Sequence, residues 1–454
     1  MPSGFRFDGF AAVVLRLGIV AAFSLPTLVP EAAHAVPSFA VQTDQPCSSC
    51  HVGAFGPRLK QAGRDFKLYG YSATDMQNHF PPIAATATFT FTHTSANELS
   101  AALEGYGENN NTAFQGASIY YGGKIVPNMG ALVEVAYDPI ANTLSWGDMD
   151  VRYARDLTVS GSDVVVGATV NNSPTEADLW ESESEWSFPF VSTELAEAPQ
   201  AASIIDAIPG TVIGAGAYAM WNDSLYLELN AYNGLGQDAL RLVGNEPIEG
   251  MDWLAGPAPY WRIALQHEFL DGVHYLELGT YGVSAAIHPG GISSAGSDDY
   301  LDTAIDFTYQ WTPHPESSTS DMLSLYVLFL HENANFGASE RLFQGPASDD
   351  LSTLRAEVTY SSGATLTPTL QYFQVSGSPD AVRWSTPGGI PDSQGWIAEV
   401  DFVPWGKPDS SGNWYNARAA LQYIAYTKFD GQSARASDYN TLLFALTFAL
   451  APIW

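Results

Sequence analysis

From Ala84 onward the chain alternates apolar and polar residues in short runs. Ala85, Ala87, Phe89 and Phe91 alternate with Thr86, Thr88, Thr90 and Thr92. Leu301, Thr303, Ile305, Phe307, Tyr309 and Trp311 share one face of their run, and Asp302, Asp306, Thr308 and Gln310 share the other. Leu354, Ala356, Val358 and Tyr360 alternate with Arg355, Glu357 and Thr359, and Trp396, Ala398, Val400 and Phe402 with Glu399 and Asp401. Ala417, Ala419, Leu421 and Tyr423 alternate with Asn416, Arg418 and Gln422. Successive side chains of a strand point to opposite faces, so each run predicts a β-strand. About sixteen such strands are expected, an even number of the kind that closed bacterial barrels use. They begin near Ala84, Gly116, Met129, Gly147, Asp163, Gly210, Ser224, Tyr260, Val273, Leu301, Met322, Ser352, Ala364, Gly395, Tyr415 and Asn440.

A soluble sandwich would alternate too. Three features favour an all-β, antiparallel outer-membrane barrel. Charges recur on the polar face, while the apolar face runs to aromatic ends, as lumen and lipid faces would. The even strand number is the second feature. The third is the connections, which alternate tight and long. Val126-Pro127-Asn128-Met129, Ser160-Gly161-Ser162, Asn222-Asp223-Ser224, Asp271-Gly272 and Ser362-Gly363 are turn sequences. Between them fall polar stretches at 95–113, 172–209, 234–258, 334–351 and 378–394. With both ends of the barrel chain periplasmic, every long loop lies outside. The last strand places Leu442, Phe444, Leu446, Phe448 and Leu450 on one face and ends on Trp454. This resembles the C-terminal assembly signal of outer-membrane barrels; in a soluble protein such an edge would invite aggregation.

Charge narrows the possible partners. Lys and Arg total 18 against 49 Asp and Glu, for a net charge of −31. Nucleic acid is excluded as a partner, since phosphate needs basic patches; cations would be attracted. Residues 1–35 read as a signal peptide, with Arg6 and Arg16, a mostly apolar Leu17 to Leu28, and an Ala33-His34-Ala35 cleavage site. No later run is apolar for the ~18 residues a membrane helix needs. The chain therefore divides into a signal peptide (1–35), a short segment (36–82) and the barrel (83–454). The middle segment is too small to hold a core unaided and is expected to lean on the barrel as a plug.

That segment holds the chemistry. Cys47 and Cys50 are the only cysteines, and His51 follows at once, giving C-x-x-C-H. Two thiols three residues apart can each add to one vinyl group of a haem, and the adjacent imidazole then binds the iron from one side. A redox dithiol would need only C-x-x-C. Zinc would need further ligands, and no second Cys/His pair is near. A disulfide across so short a loop would stabilise little. One covalently attached c-type haem is the expected cofactor, held by Cys47 and Cys50 with His51 as axial ligand. Met76 and His79 are the nearest candidates for the sixth ligand; Met129, His93 and lumen histidines are others. Met opposite His raises the reduction potential and a second His usually lowers it, so a high-potential centre would favour Met76. Phe55, Leu59, Phe66, Leu68 and Tyr71 are placed to wall a porphyrin, and Arg58, Lys60, Arg64 and Lys67 either meet its propionates or are solvated.

Two further groups stand apart from the motif. Asp148, Asp150, Glu228, Glu268, Asp302, Asp306, Glu357, Glu399 and Asp401 are expected to face inward. Individually they fit polar packing against Arg152, Arg262, Arg355 and Arg418 better than a cation funnel. Glu176, Asp178, Glu181, Glu183 and Glu185, interleaved with Trp180 and Trp186, fit a solvated surface loop better than a constriction folded inward.

Together Pro37-Ser38-Phe39-Ala40, Cys47-Ser48-Ser49-Cys50-His51, Phe55-Gly56, Gly63-Arg64, Phe66-Lys67-Leu68-Tyr69-Gly70-Tyr71 and a sixteen-stranded barrel resemble the fused outer-membrane monohaem cytochrome c–porins. The best known of these are the outer-membrane iron-oxidising cytochromes. The motif resemblance covers about 40 residues; the barrel resemblance is architectural. It implies an outer-membrane protein that takes electrons from an extracellular donor, foremost Fe(II), and passes them to a soluble periplasmic cytochrome or other carrier. The N-terminus would lie in the periplasm or the lumen. The alternatives are a solute porin whose haem segment gates or senses, a conduit for a donor or acceptor other than iron, and the barrel partner of a separate multihaem conduit, against which His51 and the strand number argue.

Overall fold

A computed structural model of the chain describes residues 36–74, 82–97, 103, 105–182, 192–245, 250–408 and 414–451. The signal peptide, Met76, His79, Glu183, Glu185, Trp186 and Trp454 lie outside these residues.

Sixteen long strands form one antiparallel sheet. They are β1 (Ile83–Thr94), β2 (Asn111–Val126), β3 (Met129–Asp138), β4 (Thr143–Val159), β5 (Ser162–Asn171), β6 (Val212–Trp221), β7 (Leu225–Gly234), β8 (Ala258–Phe269), β9 (His274–His288), β10 (Asp298–Trp311), β11 (Met322–Asn335), β12 (Ser348–Ser361), β13 (Leu366–Gly377), β14 (Ser393–Phe402), β15 (Tyr415–Lys428) and β16 (Thr441–Leu450). Each pairs with its neighbours in sequence, and β1 pairs with β16 from Ala85–Leu450 to Thr94–Thr441, so the sheet closes. Closure removes both edges and satisfies the ladder all round. All sixteen predicted strands are present in order, with starts displaced by up to five residues, as from Gly116 to Asn111. A two-residue strand, Trp253–Leu254, caps β9 at His288 and Ile287, and alternation over so short a run gives no signal.

The wall has inverted polarity. Leu229 is 69% exposed and Ile119, Ile305, Leu265 and Leu278 more than half exposed, whereas Asp150, Arg152, Arg262 and Glu332 are fully buried. Such an arrangement suits lipid outside and a polar, filled lumen inside. Trp221, Phe269, Tyr360 and Phe402 are exposed near the ends of β6, β8, β12 and β14 at the tight-turn rim. Tyr137, Trp146 and Trp396 are exposed near the long-loop rim, so two aromatic girdles flank the apolar belt.

Two segments fill the lumen. The first carries α1 (Pro37–Thr43), α2 (Cys47–Cys50) and α3 (Gln61–Leu68) and sits at the tight-turn end. The second belongs to the β5–β6 connection and carries α4 (Pro174–Ala177) and α5 (Ile204–Ala207). Leu179, Trp180 and Leu195 are almost fully buried, so this connection folds inward rather than lying solvated on the surface.

Candidate haem site and its lumen anchors

The Cys47–Cys50 turn starts because Pro46 enters in extended conformation and cannot continue a helix backward. His51 N donates to the Cys47 carbonyl at 3.0 Å, which closes the turn and sets the imidazole beside the two thiols. The chain then loops back: Val52 N donates to the Arg58 carbonyl at 2.9 Å and Lys60 N to the Cys50 carbonyl at 2.8 Å. The loop is tight enough to require glycine. At Gly56, with φ of 110°, a Cβ would lie 3.2 Å from His51 Nδ1; at Gly63 a Cβ would lie 2.6 Å from the Cys50 carbonyl oxygen. Those two contacts explain the glycines of the Phe55-Gly56 and Gly63-Arg64 pairs.

Both cysteines are free thiols. Burial pushes each up to about 11, the reverse of the lowered pKa that marks a reactive redox dithiol. Burial pulls His51 down to about 4, although the Pro57 carbonyl beside the ring favours its proton. The imidazole is therefore neutral at physiological pH, the form that ligates a metal. Its Nδ1 is buried and makes no well-aligned hydrogen bond. Two free thiols on one helical turn, with a neutral, close-packed histidine next to them, form a donor set that fits a c-type haem.

Barrel wall contacts position this segment from every side. Ser48 N donates to the Gly406 carbonyl at 3.1 Å, and Asn416 Nδ2 to the Ala54 carbonyl at 2.8 Å. Phe55 packs with Ala364, Val403 and Ala449. Tyr71 OH donates to Asp150 at 2.7 Å, and Tyr218 OH to the Leu68 carbonyl at 2.8 Å. Tyr71 stacks on Phe39 at 5.4 Å between centroids and Phe66 meets Phe39 edge-on at 5.0 Å, while Leu68 joins the cluster around Trp180. The five apolar residues expected to wall a porphyrin are therefore divided among separate contacts.

Arg58, Arg64 and Lys67 are buried and Lys60 half-buried, and all four are bonded to protein. Arg58 pairs with Glu357 at 2.9 Å and lies 3.7 Å over the Tyr326 ring. Lys60 donates to the Ser48 and Ser318 carbonyls, and Arg64 to Leu59 O and Gln310. Lys67 meets Glu181 at 2.8 Å and Glu176 at 3.8 Å. Glu176 and Glu181 belong to the second segment, so this buried cluster joins the two lumen fillers.

The inward connection has its own anchors. Ser173 caps α4 by accepting from Thr175 N and Glu176 N. Asp178 pairs with Arg262 at 2.9 Å, and that guanidinium also meets Glu277 at 3.3 Å and Asp306 at 2.8 Å. Trp180 Nε1 donates to Tyr275 OH at 2.6 Å, and Tyr326 OH donates to the Trp180 carbonyl. Farther along, Ile204 N and Ile205 N donate to Glu332 and Asp302 at 2.6 and 2.8 Å.

Of the carboxylates expected inside, Asp150, Glu228, Asp302, Asp306, Glu357 and Glu399 are buried; Asp148 and Asp401 are partly so. Glu268 is exposed near the tight-turn rim, where the strand has left the lumen. Arg152 holds Asp150, and Arg418 holds Glu399 and Asp401, so basic partners account for much of the inner charge. Among the described residues no three His, Cys, Asp or Glu side chains converge as a metal site.

Lumen histidines are corrected outright. His93, His267, His274, His288 and His331 alternate with the buried inward residues of their strands and so face out of the barrel. His93 bonds Asn110 at the long-loop rim. Met129 also faces outward, beside the buried, inward Gly130. Sequence reasoning missed the anchors Tyr218 and Tyr275, for which recurrent tyrosines on the polar face of strands were the available signal, and it named Tyr71 and Asn416 without their anchoring roles.

Fold and site together define a closed sixteen-stranded, porin-like barrel of the outer-membrane type, plugged by its own N-terminal segment. No protein family and no curated protein matches the chain by sequence. Solved structures similar to it include OmpF of Salmonella typhi in complex with daunomycin (10% identity, 81% of this chain and 97% of that one, TM-score 0.45). Others are the anion-selective porin from Comamonas acidovorans (9%, 82% and 98%, TM-score 0.44) and OprB of Pseudomonas putida (11%, 81% and 93%, TM-score 0.43).

Proposed function

We propose that the protein is an outer-membrane electron-transfer cytochrome–porin. It takes electrons from an extracellular donor, foremost Fe(II), and delivers them to a soluble periplasmic carrier. The observation that carries this reading is the C-x-x-C-H turn seated inside a closed barrel at its tight-turn end. Cys47 and Cys50 would hold one c-type haem covalently and His51 would ligate its iron; Met76 is the proposed sixth ligand and His79 its alternative. Bound haem supplies reversible one-electron chemistry. The residues around it fix its place: Ser48, Ala54 and Phe55 tie the motif loop to the wall, and the Lys67 cluster ties α3 to the inward connection. In the outer membrane the tight turns face the periplasm, so the carrier would dock there. The filled lumen shields the site across a belt ~25 Å tall.

The test is a haem-stained gel and a redox-titrated spectrum of the outer-membrane fraction with Fe(II) as reductant. A membrane-bound haem band, reduced by Fe(II) and lost in Cys47→Ala/Cys50→Ala, is expected. No haem band defeats the reading; a haem that Fe(II) leaves oxidised at the organism's working pH removes iron as donor. The porin-like fold keeps a second reading in play, a solute channel gated by the segment. It requires appreciable ion conductance of the wild-type protein in planar bilayers.

A further inference from the structure

Asp302 of β10 and Glu332 of β11 stand directly opposite each other in the sheet, both buried on the lumen face near the long-loop end of their strands. Their carboxyls lie within hydrogen-bond reach of each other. Both also hold α5 of the inward connection: Ile204 N donates to Glu332 Oε2 at 2.6 Å and Ile205 N to Asp302 Oδ2 at 2.8 Å. Among the described residues one cation reaches the pair, Arg383 from the β13–β14 connection. It touches Glu332 and not Asp302, and it also serves Asp349 at 3.5 Å. Asp206 on α5 adds negative charge beside Asp302. Tyr300, whose ring lies under Arg383, brings no positive charge to offset it.

Other inward carboxyl pairs are built differently. Glu277 and Asp306 both touch Arg262, and Glu399 and Asp401 both touch Arg418. Asp302 has no such cation, and its Oδ1 is buried without a hydrogen-bond partner. Ionised carboxylates only accept hydrogen bonds, and two of them in one dry site do not both stay charged. A proton on Asp302 Oδ1, donated to Glu332, completes the set: each backbone N–H keeps its acceptor and Arg383 keeps one carboxylate. We propose that Asp302 and Glu332 share one proton in the folded protein, and that this proton latches the inward connection to the wall through Ile204 and Ile205. Its loss sets two like charges side by side beneath α5 and loosens the connection. A proton held by the folded state alone leaves as the pH rises, and stability falls with it. The latch works whether or not the motif carries haem.

The experiment uses the full chain in lipid bilayers. Infrared spectra of wild type, with its aspartate carboxyls carbon-13 labelled, are expected to show a protonated aspartic acid band at pH 7 that fades in alkali and is diminished in Asp302→Asn. The asparagine keeps an acceptor for Ile205 N and a donor towards Glu332, so the variant is expected to hold the latch without titrating. Between pH 8 and 10, beyond the range in which Glu181 changes, wild type is expected to lose melting temperature and gain planar-bilayer conductance, and Asp302→Asn to change less in both. If the variant fails to fold, the labelled spectrum of wild type decides. Absence of a protonated aspartic acid band at pH 7, an undiminished band in Asp302→Asn, or the same alkaline losses in variant and wild type each overturns the shared proton.

Discussion

The two segments that fill the lumen are built on opposite plans. The N-terminal one enters from the tight-turn end, carries its own helices and brings basic side chains, Arg58, Lys60, Arg64 and Lys67. The β5–β6 connection belongs to the long-loop side, has only two four-residue helices in its described part and brings acidic ones, Glu176, Asp178 and Glu181. One is held through backbone bonds to Asn416, Gly406 and Tyr218 together with side-chain bonds such as Arg58 to Glu357 and Tyr71 to Asp150. The other is held through charge, by Arg262 and Lys67. The comparison teaches that a barrel can add paired charge to apolar packing in securing a plug, with Lys67 of one segment supplying the counter-charge for Glu176 and Glu181 of the other and Arg262 of the wall that for Asp178. Each charge buried there depends on its partner, because a charge taken out of water is tolerated only when paired.

The sharpest way to break this division is at Arg262. Replacing it with Ala leaves Asp178, Glu277 and Asp306 buried without their cation, a loss of about 3–5 kcal/mol by analogy with other broken buried pairs. The expected result is release of the inward connection, seen as lower thermal stability and a rise in planar-bilayer conductance. Lys67→Met attacks the junction itself and is expected to cost about 3 kcal/mol, while leaving the Asp178–Arg262 anchor in place. The charge swap Lys67→Glu with Glu181→Lys should recover part of the loss, and the double-mutant cycle measures how much of it belongs to the pair.

Acidity gives a milder handle on the same junction. Burial lifts Glu181 from 4.5 to about 7 against the pull of Lys67. Burial also disfavours the charge on Lys67, but Glu181 and Glu176 outweigh it and hold the ammonium above its ordinary range, so Lys67 stays charged throughout the neutral region. A carboxyl with a raised folded pKa binds more protons folded than unfolded. Its contribution to stability is therefore greatest below about 4.5, falls as pH rises to about 7, and stays low above it. Conductance across pH 5 to 8 should rise in wild type and flatten in Glu181→Gln. Smallest is Tyr71→Phe, which removes one hydrogen bond to Asp150 and should cost about 1.5–3 kcal/mol at most, with no change in conductance. A large conductance change there would mean that this single bond, rather than the set of anchors, holds the plug.

Much of the wall was legible in the residues. Period-two alternation, tight turns and long loops give all sixteen strands in order because a lumen and a lipid face impose one rule on every strand. The plug was legible as a dependent segment through its size and its motif. The inward connection was not. Its acidic, tryptophan-bearing stretch carries no local mark of destination, since the cations that draw it inside, Lys67 and Arg262, lie far from it in sequence. Histidine orientation was hidden for a related reason. His331 sits one residue from Glu332, and only the register of β11 decides that the carboxylate faces in and the imidazole out.

The contact between Ala54 and Asn416 has a consequence for biogenesis. The first described segment of the chain is tied to strands synthesised last, and Phe55 rests against Ala449 on the closing strand. The plug therefore completes these contacts only once β15 and β16 are in place. Cys47 is almost fully enclosed in the finished molecule. On the proposed haem reading, attachment at the motif would therefore have to come before the barrel closes, and a chain sealed first would be barred from it.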